Sequence, residues 1–215
     1  MIFGARERAE YSQLKVPKRK VEWAASRLAV KQLISASDRD LAQYQFSQIQ
    51  ILKEPSGAPY IEIDGRMRLP GWASLSHSRG HALVAYSPDD IRFGVDLEYI
   101  ESRSMDFARD FFTEKEAQLV ISGDPKKNMI ITTIIWSAKE AVLKAIVKGL
   151  RVDTKMIEIS LTPDSIDDTD WSILELNSPK IPITSPRLMW RREGDFIQTI
   201  CLLDDQDQTL EWVSI

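Results

Sequence analysis

The sequence predicts an α+β protein, in which a few helices are mixed with strands without regular alternation. Two long segments, residues 21–33 and 129–148, carry apolar residues at the spacing of amphipathic helices. Short apolar segments bounded by turn residues recur elsewhere in the chain, as expected for strands. Because the strands do not alternate with helices one by one, the pattern favours α+β over a doubly wound α/β fold.

The N-terminal part is predicted to hold one helix and several short strands. The helix covers Val21–Leu33, and Pro17 stands where it would begin, since proline is favoured in the first helical turn. We expect its polar face to point to solvent, with these residues: Glu22, Ser26, Arg27 and Lys31. The predicted strands are Gln50–Leu52, Tyr60–Ile63, Ala73–Ser76 and His81–Ser87. The pair Asp64-Gly65 predicts a hairpin turn after the second strand.

The C-terminal part is predicted to combine a carboxylate-bearing strand, two helices and a strand-rich tail. The strand covers Ile91–Ile100, and a helix follows over Phe107–Ser122 with an internal Thr-x-x-Glu capping box. The second long helix covers Met129–Lys148 and ends at Gly149, a residue suited to a C-terminal cap. The predicted tail strands are Ile157–Leu161, Trp171–Leu176, Leu188–Trp190, Phe196–Leu203 and Leu210–Val213.

Composition limits the classes of function. The chain has 215 residues, of which 43% are apolar and 28% charged, as in an ordinary globular protein with a sizeable core. A net charge of −4 argues against a general nucleic-acid binder. The single cysteine, Cys201, excludes an intramolecular disulfide and a thiolate zinc cluster, and it suits a reducing compartment. Without an apolar segment of signal-peptide or membrane-spanning length, we expect a cytoplasmic protein that does not enter a membrane.

Two acidic residues on the predicted strand are candidates for a metal site. Side chains of a strand alternate between its faces, so Asp96 and Glu98 project together. Two like charges at this separation repel each other unless a cation or a proton lies between them. Carboxylate oxygens without cysteine or a histidine pair favour magnesium or manganese over zinc. The alternative is a solvent-facing strand edge without a ligand.

A stripe on the second long helix supplies matching chemistry. Trp136, Glu140, Lys144 and Lys148 recur every four residues and therefore share one face of the helix. The stripe offers a third carboxylate and ammonium groups that could contact phosphate. The alternative is an exposed salt bridge between Glu140 and Lys144 that contributes a few tenths of a kcal/mol.

Two further segments suggest contacts to an anion. Ser76-His77-Ser78 lies in a predicted turn, where histidine and serine can donate hydrogen bonds, although a polar turn bonded to its own backbone is the alternative. A basic cluster could neutralise a phosphate monoester, or it could be a solvated helix face. Its members are Lys18, Arg19, Lys20, Arg27 and Lys31.

Taken together, these segments resemble the 4′-phosphopantetheinyl transferase superfamily. The matching motifs, in order, are Ser76-His77-Ser78, Gly94-Val95-Asp96-Leu97-Glu98, Phe111-Phe112-Thr113 with Glu116, Trp136-Ser137-Ala138-Lys139-Glu140-Ala141-Val142-Leu143-Lys144, and Lys148-Gly149-Leu150. The chain length resembles the long, surfactin-synthetase-activating type. The resemblance implies a monomer of two pseudo-symmetric α+β halves with the active site in the cleft between them. On that basis we expect halves at residues 1–92 and 93–215.

The resemblance also implies an activity and a set of site residues. Coenzyme A would donate its 4′-phosphopantetheine arm to a serine of an apo acyl, peptidyl or polyketide carrier protein, releasing adenosine 3′,5′-bisphosphate. Mg²⁺, with Mn²⁺ possible, would be held by Asp96, Glu98 and Glu140. Glu140, Lys144 and Asp96 would be catalytic, with Glu140 as the base that acts directly or through a water. The residues implied to contact the coenzyme are Arg19, Arg27, Ser76, His77, Lys139 and Lys144.

One departure from the family pattern keeps two other functions open. Many relatives have Gly-Lys-Pro where this chain has Gly57-Ala58-Pro59, so one coenzyme contact is lost or moved to the backbone. A non-catalytic relative that binds coenzyme A or another phosphate ligand is the first alternative. The second is a scaffold that binds an acidic partner through Lys15–Lys31.

A carrier-protein surface around Phe107, Phe111 and Phe112 is a further expectation, although these residues are equally suited to a core.

Overall fold

The computed structural model describes residues 1–121, 124–147, 152–161, 166, 170–179 and 186–203. Within these residues the chain forms two compact units, one comprising Met1–Ile91 and the other beginning at Arg92. Both contain helices and antiparallel strands, and the predicted α+β class is confirmed. Nowhere in the described segments is a helix long and apolar enough to cross a lipid bilayer. The predicted halves, their pseudo-symmetry and the cleft stay predictions.

The first unit contains two helices and two small antiparallel sheets. Its elements are α1 (Ala5–Gln13), α2 (Pro17–Ser37), β1 (Ile49–Lys53), β2 (Pro59–Ile63), β3 (Met67–Arg68), β4 (Trp72–Ser78) and β5 (His81–Ser87). Strands β1, β2 and β3 form one sheet in that order, and β4 pairs with β5. Val30 and Ile34 of α2 are fully buried in a core shared with Ile49, Ile51 and Ile63 of the sheet.

Turn chemistry sets the hairpins of the first unit. Asp64 and Gly65, with φ of 55° and 67°, reverse the chain between β2 and β3, as their sequence predicts. Arg79 and Gly80, with φ of 50° and 83°, form a two-residue turn between β4 and β5. Positive φ at both positions matches the twist of the flanking strands. The prediction of a turn over Ser76-His77-Ser78 is therefore wrong, because these residues continue β4 up to that turn.

The second unit packs one long helix against a five-stranded antiparallel sheet. Its elements are β6 (Arg92–Tyr99), α3 (Met105–Phe111), α4 (Glu114–Ile121), α5 (Pro125–Ala145), a 3₁₀ turn (Thr154–Met156), β7 (Glu158–Ser160), β8 (Ser172–Asn177), β9 (Arg187–Glu193) and β10 (Phe196–Leu203). The strand order is β6-β10-β9-β8-β7. Residues 130–139 of α5 are all buried, because the sheet covers one side of the helix and α4 lies against another.

Gly94 allows β6 to lie directly on α5. A Cβ atom at this position would lie 2.0 Å from the carbonyl oxygen of Ala141 and 2.6 Å from the backbone nitrogen of Ala145. No side chain fits in that space, so only glycine permits this approach of strand to helix. The contact sets the distance between the two elements that carry the candidate site.

Two predictions about helices need correction. The helix predicted over Phe107–Ser122 is two helices, because Thr113 caps a new helix: its Oγ1 accepts from the Glu116 backbone nitrogen at 3.3 Å. The polar face of α2 does not point to solvent, since Glu22, Ser26, Arg27 and Lys31 are all buried. Helix α1, which the sequence did not predict, contacts α2 and supplies a partner to its basic residues. The expectations for Lys148, Gly149 and Leu210–Val213 lie outside the described residues.

Candidate active site

Strand β6 and helix α5 bring the predicted carboxylates and cations together. Asp96 and Glu98 lie on one face of β6, because side chains of a strand alternate. Trp136 and Lys144 of α5 reach them: Lys144 donates to Asp96 and the Trp136 indole donates to Glu98. The helix residues of the stripe, spaced four apart, therefore face the strand residues Asp96 and Glu98, spaced two apart. Neither alternative, a solvent-facing strand edge or an isolated surface salt bridge, describes this arrangement.

Lys144 makes the closest charged contact of the site. Its Nζ atom lies 2.7 Å from Oδ1 of Asp96 and donates to the carbonyl oxygen of Val95 at 3.1 Å. Asp96 is 3% exposed, whereas the Lys144 side chain keeps 28% of its surface accessible to solvent. An ammonium group has three donors. Lys144 can therefore hold Asp96 and still approach an anion from the solvent side.

Glu98 is held by two donors. Its Oε1 atom accepts from the Trp136 indole nitrogen at 2.8 Å, and its Oε2 atom accepts from Nη2 of Arg103 at 3.0 Å. Burial raises the pKa of Glu98 to about 7, and the charge of Asp96 contributes to the rise. The Arg103 guanidinium also lies 4.7 Å from the ring centre of Phe107. Sequence analysis missed Arg103, since its only signal is a position shortly after the carboxylate strand.

Glu140 is the half-buried carboxylate of the helix stripe. Its Oε1 atom is buried and has no hydrogen-bond partner within the described segments. Burial raises the pKa of Glu140, the charge of Asp96 raises it further, and Lys144 opposes the rise. Glu140 therefore lies within electrostatic reach of the two residues that the sequence predicts beside it. Such a carboxylate is suited to accept a proton or to bind a cation.

The donor set of this site fits a divalent cation in its chemistry. The orphaned oxygen of Glu140 and the mutual repulsion of Asp96 with Glu98 and Glu140 would both be relieved by positive charge. Carboxylate oxygens are ligands that Mg²⁺ and Mn²⁺ prefer. However, a group of three or more potential ligands close enough to hold a metal is absent among the described residues. The metal role of these three residues stays a prediction.

Lys139 does not lie where a phosphate contact requires it. Its side chain is completely buried, and its ammonium lies 2.7 Å from Oε2 of Glu116. It also donates to the carbonyl oxygens of Thr154 at 2.9 Å and Ile157 at 2.5 Å. These three oxygens use all three donors of the ammonium. The expectation that Lys139 binds coenzyme phosphate is therefore corrected, and the residue belongs to the interior of the second unit.

In the first unit, Arg27 lies in a basic cluster that includes a residue missed by sequence analysis. Arg27 is only 5% exposed, with its guanidinium 4.0 Å from the ring centre of Trp23 and 3.6 Å from Oε2 of Glu10. Burial lowers the pKa of Arg27 to about 10. Lys53 is exposed at the end of β1, yet partial desolvation lowers its pKa, and the charge of Arg27, with a smaller effect from Arg19, lowers it further. Mutual repulsion of this kind favours a bound anion, and the position of Lys53 at the end of a strand gave no signal of it.

Lys31 is excluded from this cluster, and His77 has an acidic neighbour. Lys31 is fully buried in an ion pair with Glu7. Nδ1 of His77 lies 3.7 Å from Oε2 of Glu22, and the His77 side chain is 45% exposed. Ser76 is 8% exposed. His77 remains accessible to a ligand, whereas Ser76 lies mostly beneath the surface of β4.

The aromatic residues predicted for a carrier surface pack around Trp136. The ring centres of Phe107 and Phe111 lie 4.9 Å and 5.2 Å from that of Trp136. Phe112 is 2% exposed and belongs to the core, whereas Phe107 and Phe111 are only partly buried. The cluster supports the indole that donates to Glu98. A contact with a carrier protein stays a prediction for the two partly buried rings.

Comparison with known proteins agrees with the geometry. Residues 92–184 match the model of the 4′-phosphopantetheinyl transferase superfamily. Over this segment the chain is similar to that superfamily. The matched segment contains β6 and α5, and hence the acidic residues Asp96, Glu98 and Glu140 with Lys144 beside them.

Two relatives carry the corresponding name. The protein slr0495 of Synechocystis sp., named as a 4′-phosphopantetheinyl transferase, is 28% identical over 181 residues, which cover 80% of this chain and 71% of that protein. The 4′-phosphopantetheinyl transferase HetI of Nostoc sp. is 36% identical over 109 residues, which cover 48% of this chain and 45% of HetI. The similarity to slr0495 extends beyond the segment that the superfamily model matches.

Proposed function

We propose that this protein transfers the 4′-phosphopantetheine arm of coenzyme A to a serine hydroxyl of an apo carrier protein, releasing adenosine 3′,5′-bisphosphate. The match of residues 92–184 to the superfamily and the names of two relatives support the reaction class. The observation that carries the proposal is the Glu140 carboxylate, which has one buried oxygen and lies within electrostatic reach of both Asp96 and Lys144. The long-type classification, the cytoplasmic location and the monomeric state stay predictions.

Glu140 is the proposed general base, acting directly or, where it holds the cation, through a water. The attacking serine must lose its proton as its oxygen bonds to the β-phosphorus of coenzyme A and the bond from that phosphorus to the departing adenosine bisphosphate breaks. A carboxylate whose pKa is raised toward the working pH is a stronger base than an exposed one. Burial and the charge of Asp96 raise the pKa of Glu140 in this direction. Its orphaned oxygen supports a role as acceptor of that proton.

Lys144, and a cation held by the carboxylates, would stabilise the negative charge of the pyrophosphate. Lys144, paired with Asp96 yet partly exposed, would approach a phosphoryl oxygen as negative charge develops there. Asp96, Glu98 and Glu140 would hold a divalent cation, which when bound supplies positive charge next to the pyrophosphate. Arg103 and Trp136 would orient Glu98 through their hydrogen bonds. Much of the rate would come from aligning serine and phosphorus.

The first unit would supply further coenzyme contacts. We propose Arg19, Arg27 and Lys53 for the 3′-phosphate, supported by the repulsion among these cations that an anion would relieve. His77 and Ser76 are proposed for other phosphate oxygens on the basis of the family resemblance. Because Lys139 is enclosed in the interior, it is no longer included in this set.

The proposal is tested by mass spectrometry of intact carrier proteins. Purified protein is incubated with coenzyme A, Mg²⁺ and a panel of apo acyl, peptidyl and polyketide carrier proteins. We expect at least one carrier to gain the mass of one 4′-phosphopantetheine arm, and we expect EDTA to prevent the gain. No gain on any carrier with Mg²⁺ or Mn²⁺ would contradict the proposal.

A binding protein without catalysis is the second candidate, favoured by Ala58 in place of the lysine of many relatives. It predicts that coenzyme A binds in a calorimetric titration while no carrier gains mass. A scaffold for an acidic partner is less consistent with the structure, because Lys31 of the proposed basic surface is fully buried in an ion pair with Glu7. The mass measurement and the titration together separate these functions from the transferase.

A further inference from the structure

A fully buried ion pair fixes the turn of α5 that precedes Glu140. Lys139 and Glu116 have side chains that are 0% and 1% exposed, and their charged atoms are 2.7 Å apart. Lys139 also donates to the carbonyl oxygens of Thr154 and Ile157, at the 3₁₀ turn that leads into β7. One ammonium group thereby joins α4, α5 and the segment before β7.

The carboxylate of Glu116 is bonded as completely as the ammonium. Its Oε2 atom accepts from the Thr113 backbone nitrogen at 2.7 Å, and its Oε1 atom accepts from the Ile159 backbone nitrogen at 2.7 Å. Glu116 therefore closes the N-terminus of α4 and anchors β7 while it neutralises Lys139. The pair links four separate segments of the second unit around the residue next to Glu140.

The first unit contains the same arrangement. Lys31 lies 2.6 Å from Oε2 of Glu7, and both side chains are 0% exposed. Lys31 also donates to the carbonyl oxygens of Ile2 and Phe46, each at 2.8 Å. Glu7 accepts from the backbone nitrogens of Gly4 and Ile51, each at 3.0 Å, and so closes the N-terminus of α1 and anchors β1.

The spacings of the two arrangements correspond. In each unit the lysine bonds a carbonyl oxygen 15 residues later, at Phe46 in the first and Thr154 in the second. In each unit the glutamate bonds a strand nitrogen after a similar interval, 44 residues to Ile51 and 43 residues to Ile159. The lysine also lies over an aromatic ring in each case, 5.5 Å from Phe3 and 5.8 Å from Phe112.

The two units differ in the helix residues that come after the lysine. Gln32 stands next to Lys31, whereas Glu140 stands next to Lys139. Five residues after the lysine, the first unit has Ala36 and the second has Lys144. The ion pair therefore occurs once without the acidic site and once directly beside it. The pair of the first unit therefore serves as an internal control: it shows the effect of such an ion pair on a helix that carries no candidate catalytic residue.

We propose that Lys139 and Glu116 are positioning residues, which fix the rotation and axial position of α5 so that Glu140 lies beside Asp96. This inference rests on the proposed transferase function. Successive helix residues are separated by about 100° around the axis, so fixing Lys139 fixes the direction of Glu140. Buried ion pairs are often replaceable by apolar residues without loss of stability, and the best-attested use of such pairs is to specify geometry. Lys139 acts here through Glu140 and does not touch the coenzyme.

A pair of double variants tests this role. In the second unit, Glu116→Gln with Lys139→Met removes both charges of the ion pair. The glutamine keeps a side-chain carbonyl that can accept a hydrogen bond from a backbone nitrogen. Glu7→Gln with Lys31→Met is the matched control in the first unit. For the first double variant we expect kcat for arm transfer to fall on the order of 10²-fold, the size expected for a misplacement of about 1 Å. The KM for coenzyme A should be unchanged, and the control should keep its kcat at saturating coenzyme.

A second variant and a second measurement test the positioning role even if the double variant of the second unit does not fold. Glu116→Asp keeps both charges but shortens the acidic arm, and we expect it to remain folded and to lower kcat. Hydrogen exchange of residues 136–145 should be faster in the Glu116→Gln, Lys139→Met protein than in the wild type. A raised KM for coenzyme A with unchanged kcat would overturn the positioning role and restore a phosphate contact.

Equal losses of kcat in the two double variants would also overturn the positioning role, since each ion pair would then only stabilise the fold of its unit. Unchanged exchange over residues 136–145 would contradict it independently of activity. If the wild type transfers no arm to any carrier, the proposed function fails, and the exchange measurement still decides whether the pair holds α5 in place. The two failures are therefore distinguishable.

Discussion

Three carboxylates with unequal surroundings determine the chemistry at the residue scale. Asp96 is paired with Lys144, and Glu98 accepts from Trp136 and Arg103. Glu140 keeps one buried oxygen without a partner in the described part of the chain. Burial raises the pKa of both Glu98 and Glu140, and the charge of Asp96 adds to each rise. The site is thus arranged to take up positive charge, as a proton or a cation.

The raised pKa of Glu98 predicts how stability depends on pH. A carboxyl group with a pKa of about 7 when folded and 4.5 when unfolded binds its proton more tightly in the folded chain. Its contribution therefore favours folding below the unfolded value and is lost as pH rises through about 7. In thermal unfolding of the metal-free protein, we expect Glu98→Gln to gain stability over the wild type as pH rises from about 5 to about 8.

The exposed residue Glu175 provides the control for that measurement. Glu175→Gln should follow the pH dependence of the wild type, because Glu175 lies on the exposed side of β8. If the unfolding midpoints of Glu98→Gln and the wild type remain parallel over the whole range, the pKa of Glu98 is not raised by folding.

Asp96, Glu98, Glu140 and Lys144 could be identified from the sequence, whereas their degree of burial and the contact of Arg103 with Glu98 could not. The two-residue spacing of Asp96 and Glu98 and the four-residue spacing of the helix stripe are local properties. Both are realised in the described residues, the stripe over Trp136, Glu140 and Lys144. Lys139 belongs to the same motif, yet its environment is set by Glu116 and by a carbonyl group of the segment before β7. Partners so distant in sequence leave no periodic signal near the lysine.

At the scale of elements, the contact of β6 with α5 depends on the absence of a side chain at Gly94. We expect Gly94→Ala to destabilise the protein by about 3 kcal/mol, the upper part of the range for overpacked sites, because its Cβ would collide with backbone atoms of α5. The collision would also separate Asp96 from Lys144 and lower transfer activity. Urea unfolding and the carrier-protein assay measure the two effects.

Gly194→Ala is the comparison variant for this prediction. A Cβ at Gly194 meets no atom within 4 Å, so the loss of folding free energy in Gly194→Ala comes only from the φ of +60°. We expect about 1 kcal/mol for that left-handed conformation and no change in transfer activity. A Gly94→Ala protein as stable and as active as Gly194→Ala would show that β6 does not lie directly on α5.

Most elements of the described segments could be predicted, whereas helix α1 and the buried face of α2 could not, and these two share a cause. Strands and the two long helices have apolar residues at regular spacing, which local sequence reveals. Helix α1 has only one buried residue, Glu7, whose burial requires Lys31 of α2. The solvent-facing prediction for α2 failed for the same reason. Where an ion pair replaces apolar contacts in the core, hydrophobic periodicity does not identify the buried face.

At the scale of the whole molecule, two units with the same buried ion pair carry different chemistry. The second unit holds the acidic site and the segment that matches the superfamily, residues 92–184. The first unit has glutamine and alanine in place of the acidic residue and the lysine, and it offers the basic cluster around Arg27 and Lys53.

Glu140→Gln in the carrier-protein mass assay is the most direct test of the central claim. The substitution keeps the shape of the side chain and removes the carboxylate, so we expect wild-type folding and no arm transfer at saturating coenzyme A and Mg²⁺. Glu175→Gln is the matched control, which should transfer the arm at the wild-type rate. A Glu140→Gln protein that modifies the carrier as fast as the control would contradict the assignment of catalysis to this site.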